Sequence, residues 1–453
     1  MYKRIRFIFR YLEAFFTKHY KSIFFGLFLS IITIWIFPKF ITSLPPFRFT
    51  KRVALIGRYT ISNLPETIQS KISIGLTVIN SQGLPGPGLA NSWDISSDGK
   101  KVTFHLNPES VWQDNTSIQS TDIQYQFQDA QINYPNNHDI EFLLLKDPYS
   151  PLPLILSKPV FKNSKIKKSN NFIGAGSYKI RSYYQNGSKL ETITLSPINS
   201  DNNLPYLVYH FYSSPQQAIV AFKLGEVQQV LDLNELNDIS QWPNTNIIET
   251  LQLNRYIALF FNTEDPYFSG SSGKNLRLAL AYATKKPYTG IRATGPIGPN
   301  SWVYNPDVKK YDYDLAKSKE LLKKVEKLPE KIVIKTLPAY INVAEKIKTD
   351  WELLGLSIEI ESQSDMSSDF QISLAAQPIP LDPDQYIYWH STQDPFNITR
   401  LKNPRIDKIL EDGRTTWDQA KRKELYEDFQ KYLVEEVPAI FLYHPISYSV
   451  ERR

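Results

Sequence analysis

Cysteine is absent from the 453 residues, which excludes a disulfide framework, a thiolate metal site and a lipid-modified N-terminal Cys. Histidine is scarce. The six (His19, His105, His138, His210, His390 and His444) are scattered, and none stands in an H-E-x-x-H or other close ligand pair. The nucleophile elbow G-x-S-x-G does not occur either, and Gly270-Ser271-Ser272-Gly273 reads as a loop. The carboxylates Asp382 and Asp384 invite an acid/base reading, but they sit in a Pro-rich turn. No catalytic residue, metal or cofactor is expected.

Net charge is small once it is located. The formal value is +6. Lys3, Arg4, Arg6, Arg10, Lys18 and Lys21 against Glu13 place +5 of it in the first 21 residues, leaving +1 for everything after. That balance argues against a nucleic-acid footprint.

What is present is ordinary globular material, 42% hydrophobic and 22% charged, enough for two or three domains. The basic start runs into Ser22 to Phe37, SIFFGLFLSIITIWIF, which carries no charge. As a helix this stretch spans about 24 Å at ~1.5 Å per residue, just short of a hydrocarbon core of ~30 Å. Phe40 and Ile41 extend it if Lys39 snorkels. No small-x-small cleavage site follows before Pro45-Pro46, so the stretch reads as an uncleaved signal anchor rather than a cleaved signal peptide. The expected plan is a basic cytoplasmic segment at 1–21, a transmembrane signal anchor at 22–41, a linker at 42–50 and a body outside the cell membrane.

Leu89 to Asp114 organises the body. Trp93 and Ile95 alternate with polar neighbours, Ser96-Ser97-Asp98-Gly99 supplies a turn, and Val102, Phe104 and Leu106 alternate again. That is a hairpin with one buried face. Before it, Arg52 to Tyr59 reads as a strand, and Ile68 to Val78 as a short helix running into Gly75-Leu76-Thr77. After it, Asp122 through Phe127 reads as a helix, and Gly174 and Gly176 permit a tight backbone ahead of a return strand. Gln216 to Leu224 reads as a helix capped by Gly225, leading to a strand from Gln228 to Leu233. A strand at Ala258 to Thr263, a helix at Asn275 to Thr284 and a helix N-capped by Asp314 follow. Lys331 to Lys335, the helical spacing of Val343, Ala344, Ile347 and Trp351, and Leu356 to Ile360 make a β-α-β unit with a partly parallel sheet.

The order of these parts resembles that of the family 5 extracellular solute-binding proteins, the dipeptide- and oligopeptide-binding components of ABC importers. The resemblance is carried by Pro87, Leu89-Ala90, Ser92-Trp93, Asp98-Gly99, Phe104-His105-Leu106, Trp112-Gln113-Asp114 and Thr121-Asp122. Asn115 stands where the family usually has Gly, and Ser120-Thr121 replace its Ala. Asn171 to Ile180, Ala218 to Asp232, Arg277 to Ala283, Arg405 to Leu410 and Pro438 to Tyr443 continue it, from about Val53 to Val450. The resemblance implies a two-lobed α/β fold of the periplasmic-binding-protein kind with an extra β-rich subdomain, preceded by one N-terminal transmembrane helix. Lobe I is then 51–69 with 176–255 and 437–453, the subdomain 70–175 and lobe II 256–436. Pro438 to Tyr443 is expected to return to the first lobe.

The same resemblance implies that two lobes close about a hinge on a peptide, whose backbone pairs with strand edges while its side chains enter roomy, hydrated pockets. Asp369 to Asp384 resembles the segment that carries this. Placing the family's Asp-Pro on Asp382-Pro383 puts Ala375-Ala376 on its Gly-Trp and Ile379 on the Asp that holds a peptide's α-amino group. An ammonium buried without a partner costs ~1 kcal/mol upward. Amine recognition then falls to Asp382 or another carboxylate, or the ligand is not a free peptide. Expected ligand contacts from lobe II are Ala375, Ala376, Gln377, Ile379 and Asp382, with Tyr386, Trp389, Phe260 and Asn262 walling the cleft. Tyr59 and Thr60 are the contacts expected from lobe I. The implied partners are a peptide or peptide-like solute and the permease subunits of an ABC importer, with the chain a membrane-tethered monomer. The alternative is a membrane-anchored sensor or scaffold that keeps the fold without transport, which the Ala376 and Ile379 departures suit.

Overall fold

The computed structural model describes residues 11, 13–22, 24–26, 28–30, 49–163, 172–198, 204–363 and 369–453. The chain divides into two units, 1–49 with 200–205, and a body of 50–199 with 206–453. In the first unit the described residues between 11 and 30 are helical, with Phe15, Phe16, Phe24, Phe25, Phe28 and Leu29 exposed. Among the described residues no helix is long and apolar enough to cross a membrane. Residues 23, 27 and 31–41 of the expected anchor, and 42–48 of the linker, lie outside the described residues.

The body opens with β1 (Thr50–Ile56), whose Val53, Ala54 and Leu55 are buried. The chain leaves through α1 (Glu66–Ile72) into a β-rich insert. There β2 (Thr77–Ile79) pairs with β3 (Pro85–Pro87), and β4 (Ala90–Ile95), β5 (Lys101–Leu106), β6 (Ala130–Asn136) and β7 (Asp139–Leu144) follow. After α2 (Leu152–Ile155) come β8 (Tyr178–Asn186), β9 (Lys189–Pro197), β10 (Tyr206–Tyr212), α3 (Pro215–Leu224), β11 (Gln229–Leu233) and β12 (Thr245–Leu251). The last stretch holds β13 (Arg255–Phe261), α4 (Gly270–Ala283), β14 (Ile291–Arg292), α5 (Leu315–Leu322), β15 (Ile332–Thr336) and α6 (Ile341–Glu352). It closes with β16 (Ile358–Ser362), β17 (Ile372–Pro378), α7 (Tyr386–Trp389), α8 (Pro404–Thr415), α9 (Gln419–Glu436), β18 (Ala439–His444) and β19 (Ile446–Arg452).

Among the described residues three larger sheets form: β12-β19-β11-β1-β10-β9-β8, β14-β18-β13-β17-β15-β16, and β4-β5-β7-β6. The first sheet with its helices is called here the first lobe, the second sheet with its helices the second lobe, and the four-stranded sheet the β-rich subdomain. β15 pairs in parallel with β16 and β17, as the β-α-β reading requires, while β13 is antiparallel to both its neighbours. In the organising hairpin, Val102, Phe104 and Leu106 all point inward and Gly99 turns with φ +69°. Trp112 is buried and its indole N–H donates to Asp122 Oδ2 at 2.9 Å. The separated Trp and Asp of the sequence pattern are thus a clasp inside the subdomain.

Gly270-Ser271-Ser272-Gly273 is the first turn of α4 rather than a loop, and two longer segments also depart from expectation. Asp122 to Phe127 is not helical: a 3₁₀ turn at Ser120–Asp122 gives way to extended chain. Ile123, Tyr125 and Phe127 point inward while Gln124 and Gln126 are exposed, a period of two that favours an extended segment over a helix. Tyr125 and Phe127 then stack at 6.0 Å beside Phe142. Second, Pro438 to Tyr443 does not return to the first lobe. β18 pairs with β13 and β14 in the second sheet, and only β19 joins the first. The chain therefore crosses between the lobes twice, at 252–254 and at Pro445, and these crossings touch: Gln252 N–H donates to Pro445 O at 2.8 Å.

Candidate functional site

The site begins with the turn Asp382-Pro383-Asp384 after β17. Asp384 N–H donates to Asp382 Oδ1 at 2.9 Å, and Tyr386 N–H donates to Asp384 Oδ1 at 3.0 Å, so each carboxylate uses one oxygen to shape the chain into α7. Each also faces an arginine from the helices that follow. Arg414, in the last turn of α8, donates from Nη2 to Asp384 Oδ2 at 2.9 Å. Arg422, on α9, donates from Nη1 to Asp382 Oδ2 at 2.9 Å and from Nη2 to Asp382 Oδ1. This second pair is buried, a fork-to-fork contact in the protein interior.

Arg414 also joins two parts of the body. Its guanidinium lies 4.0 Å from the centre of the Tyr386 ring and 5.3 Å from that of Tyr149, a residue of the subdomain. Tyr386 in turn lies nearly parallel to His390, centroids 4.0 Å apart. Burial raises the Asp384 carboxyl above its ordinary value, against the opposing pull of Arg414. Burial, with the Asp384 charge, pushes Tyr149 up to about 12. Backbone bonds reinforce the junction: Ser150 N–H and Oγ–H both donate to Arg414 O, at 2.9 and 3.0 Å. Trp417, between α8 and α9, donates its indole N–H to Gly99 O in the hairpin turn at 3.2 Å.

Two cavities flank this seam between subdomain and second lobe. The larger, about 850 Å³, is walled by Phe127, Leu144, Tyr149, Tyr386, Glu411 and Arg414. Lys146 and Lys408 on its rim are paired with Asp129 and Asp412, at 2.9 and 2.8 Å. The buried Arg414 Nε has no hydrogen-bond partner among the described residues. The smaller cavity, about 280 Å³, is walled by Trp93, Trp302, Trp417 and Leu154, with the Asp382–Arg422 pair as part of its lining.

Of the residues expected from sequence, Tyr386 lines the larger cavity and Asp382 the smaller. Asp382 is occupied by Arg422, so the structure does not leave it as a free carboxylate for an amine. Phe260 and Trp389 are core residues, their rings 6.4 Å apart, and Ala375 is buried with them. Asn262 is buried as well and donates to Phe370 O at 3.2 Å. Ala376, Gln377 and Ile379 lie at the end of β17 and just beyond it, and Ile379 N–H donates to Asn254 O at 2.7 Å, beside the first crossing. Tyr59 packs on Phe211 in the first lobe, and Thr60 bonds to Ser62 at 2.9 Å. None of these nine lines either cavity. Tyr149, Arg414, Trp417 and Arg422 were not anticipated. One of them had a readable signal: Arg422 stands on the same face of α9 as Tyr426, Phe429 and Leu433, and a charge inside an apolar stripe requires a buried partner.

Two sheets joined by touching crossings, with side-chain-lined cavities where the subdomain meets the second lobe, have the form that a solute-capturing binding protein requires. The comparisons agree. Residues 85–397 match bacterial extracellular solute-binding proteins, family 5 Middle, and the chain belongs to that family. It is 22% identical over 411 residues to the probable D,D-dipeptide-binding periplasmic protein DdpA of Escherichia coli (strain K12), covering 78% of each chain. Among solved structures, the ABC transporter substrate-binding protein CtaP of Listeria monocytogenes superposes with a TM-score of 0.76 at 20% identity, over 90% of this chain and 94% of that one. NikZ of Campylobacter jejuni, solved with Ni(L-His), gives 0.70 at 21% identity, over 89% and 94%. The family is one of extracytoplasmic solute-binding proteins, and solute binding is the function it brings to this chain.

Proposed function

We propose that this chain captures peptides or similar oligomeric solutes at the seam between the β-rich subdomain and the second lobe and delivers them to the permease of an ABC importer. The observation that carries the reading is the 850 Å³ cavity, large enough for several residues of an extended solute and walled from both sides of the junction. The paired crossings at 252–254 and Pro445 are where a hinge would act, a few element-terminal residues absorbing the rotation. The basic segment and the uncharged stretch from Ser22 form a single-pass tether, with the N-terminus cytoplasmic and the monomeric body outside.

A second reading has two observations in its favour. Ile379 takes the place expected of an amine-binding carboxylate, and Asp382 is engaged by Arg422. A tethered sensor or scaffold that keeps the fold without delivering solute fits both facts. Mass spectrometry of whatever accompanies the purified chain decides between them. Recovered peptides, with a thermal shift on re-addition, support capture and delivery; no ligand and no shift across a peptide library support the scaffold.

A further inference from the structure

The 280 Å³ cavity differs in kind from its larger neighbour. Three indoles wall it: Trp93 from the hairpin, Trp302 from the loop after β14, and Trp417 from the turn between α8 and α9. Leu154 and Ile95 supply further apolar wall. Two of the indoles are held in place by their surroundings. Trp93 packs on Phe104 with centroids 5.7 Å apart, and Trp417 is tied to Gly99 O, where a side chain on residue 99 would collide with it, the added Cβ meeting the indole nitrogen at 2.8 Å. The Arg422 guanidinium lies 6.0 Å from the Trp302 ring centre while its charge is satisfied by Asp382. What the pocket presents is therefore mainly flat and apolar, with Ser150 and the exposed Gln419 as its uncharged polar lining and its two charged residues, Asp382 and Arg422, paired with each other.

We propose that this cavity is a subsite for an aromatic side chain of the captured solute, stacked among Trp93, Trp302 and Trp417. The assignment rests on the solute-capture reading and goes beyond it by naming a group the solute carries. Size agrees: an apolar cavity of roughly 150 Å³ already holds benzene, so 280 Å³ takes a phenyl or indole ring with its linking methylene. Chemistry agrees as well. Ring pairs gain from offset and edge contacts beyond the area they bury, and a pocket offering few unpaired polar groups favours an aromatic group over a polar one. Position agrees too, since the wall is divided between the subdomain and the second lobe, so that the pocket is complete only while the seam is closed. An aromatic anchor gives such a protein affinity that does not depend on holding an α-ammonium, the group for which Ile379 provides no charge.

The test uses the full-length chain labelled with 5-fluorotryptophan, whose eight Trp are followed by fluorine NMR and assigned by single Trp→Phe replacements. N-acetylphenylalaninamide is expected to shift the Trp93, Trp302 and Trp417 resonances together, and N-acetylalaninamide to leave them in place. Leu154→Trp, which fills the cavity, should abolish the response; Trp302→Ala, which removes a wall without adding bulk, should weaken it on the order of tenfold. No shift at those three residues, or equal shifts with both amides, overturns the subsite. If the amide binds there while no aromatic peptide binds the protein, the subsite stands and the peptide reading falls. If peptides bind but replacing Phe by Ala in them leaves affinity unchanged, the peptide reading stands and the subsite falls.

Discussion

Arg422 holds Asp382 with both terminal nitrogens of its guanidinium inside the protein, each side chain less than a tenth exposed. Removing one member strands the other charge, which typically costs about 3–5 kcal/mol for a buried pair. Asp382→Asn and Arg422→Met are each expected to lower unfolding free energy on that scale in urea titrations. Replacing both, Asp382→Leu with Arg422→Met, should recover most of the loss, because the desolvation penalty disappears with the charges. Additive losses in the double variant would show that the two residues do not act as a pair.

Lys286 gives a pH signature outside the seam. Burial, with Arg292 nearby, lowers its amine from 10.5 to about 7. The unfolded chain keeps this proton up to about 10.5 and the folded chain only to about 7, so between those values the unfolded state binds more protons and stability rises with pH. Urea midpoints at pH 7 and pH 9 should therefore differ more in the wild type than in Lys286→Met. An identical pH response in the two proteins would place the Lys286 amine in water.

Ile379→Asp places a carboxylate where the sequence resemblance expects the amine-binding one. If the register is right, the variant should gain affinity for peptides with free amino ends over their acetylated forms, a ratio measurable by calorimetry. Equal changes for free and acetylated peptides would contradict the register. Ile379 N–H is bonded to Asn254 O at the first crossing, so thermal stability has to be followed alongside.

Gly174 tests how tightly the two ends of the β-rich insert are held together. A Cβ there would fall 2.1 Å from the backbone oxygen of Ile72 at the end of α1, which cannot swing aside as a side chain could. Gly174→Ala should destabilise the body by more than 1 kcal/mol, about the size of a core overpacking, whereas Gly187→Ala, in a spacious turn, tests only a positive φ.

Local patterns were legible in the sequence and long-range ones were not. The alternation of Val102, Phe104 and Leu106, the Gly225 cap with φ +82°, and the Asp314 N-cap on Lys317 N–H at 2.8 Å each depend on neighbours a few residues away. Phe260 failed as a cleft wall for a reason the sequence does contain. Tyr256 to Phe261 is one continuous apolar run, the pattern of a strand buried on both faces, and all six are buried. The seam itself joins Tyr149, Asp384 and Arg414 from distant parts of the chain, and no local period encodes that meeting. Only Arg422, a charge in the apolar stripe of α9, advertised it.

The central claim is that a solute is held where the subdomain meets the second lobe, and hydrogen–deuterium exchange tests it most directly. The purified protein is compared free and saturated with the solute recovered from it or with a peptide that shifts its melting temperature. Protection confined to 144–154 and 408–422, with altered exchange at the 252–254 and 445 crossings, is the predicted result. Protection elsewhere, with those segments unchanged, would contradict it.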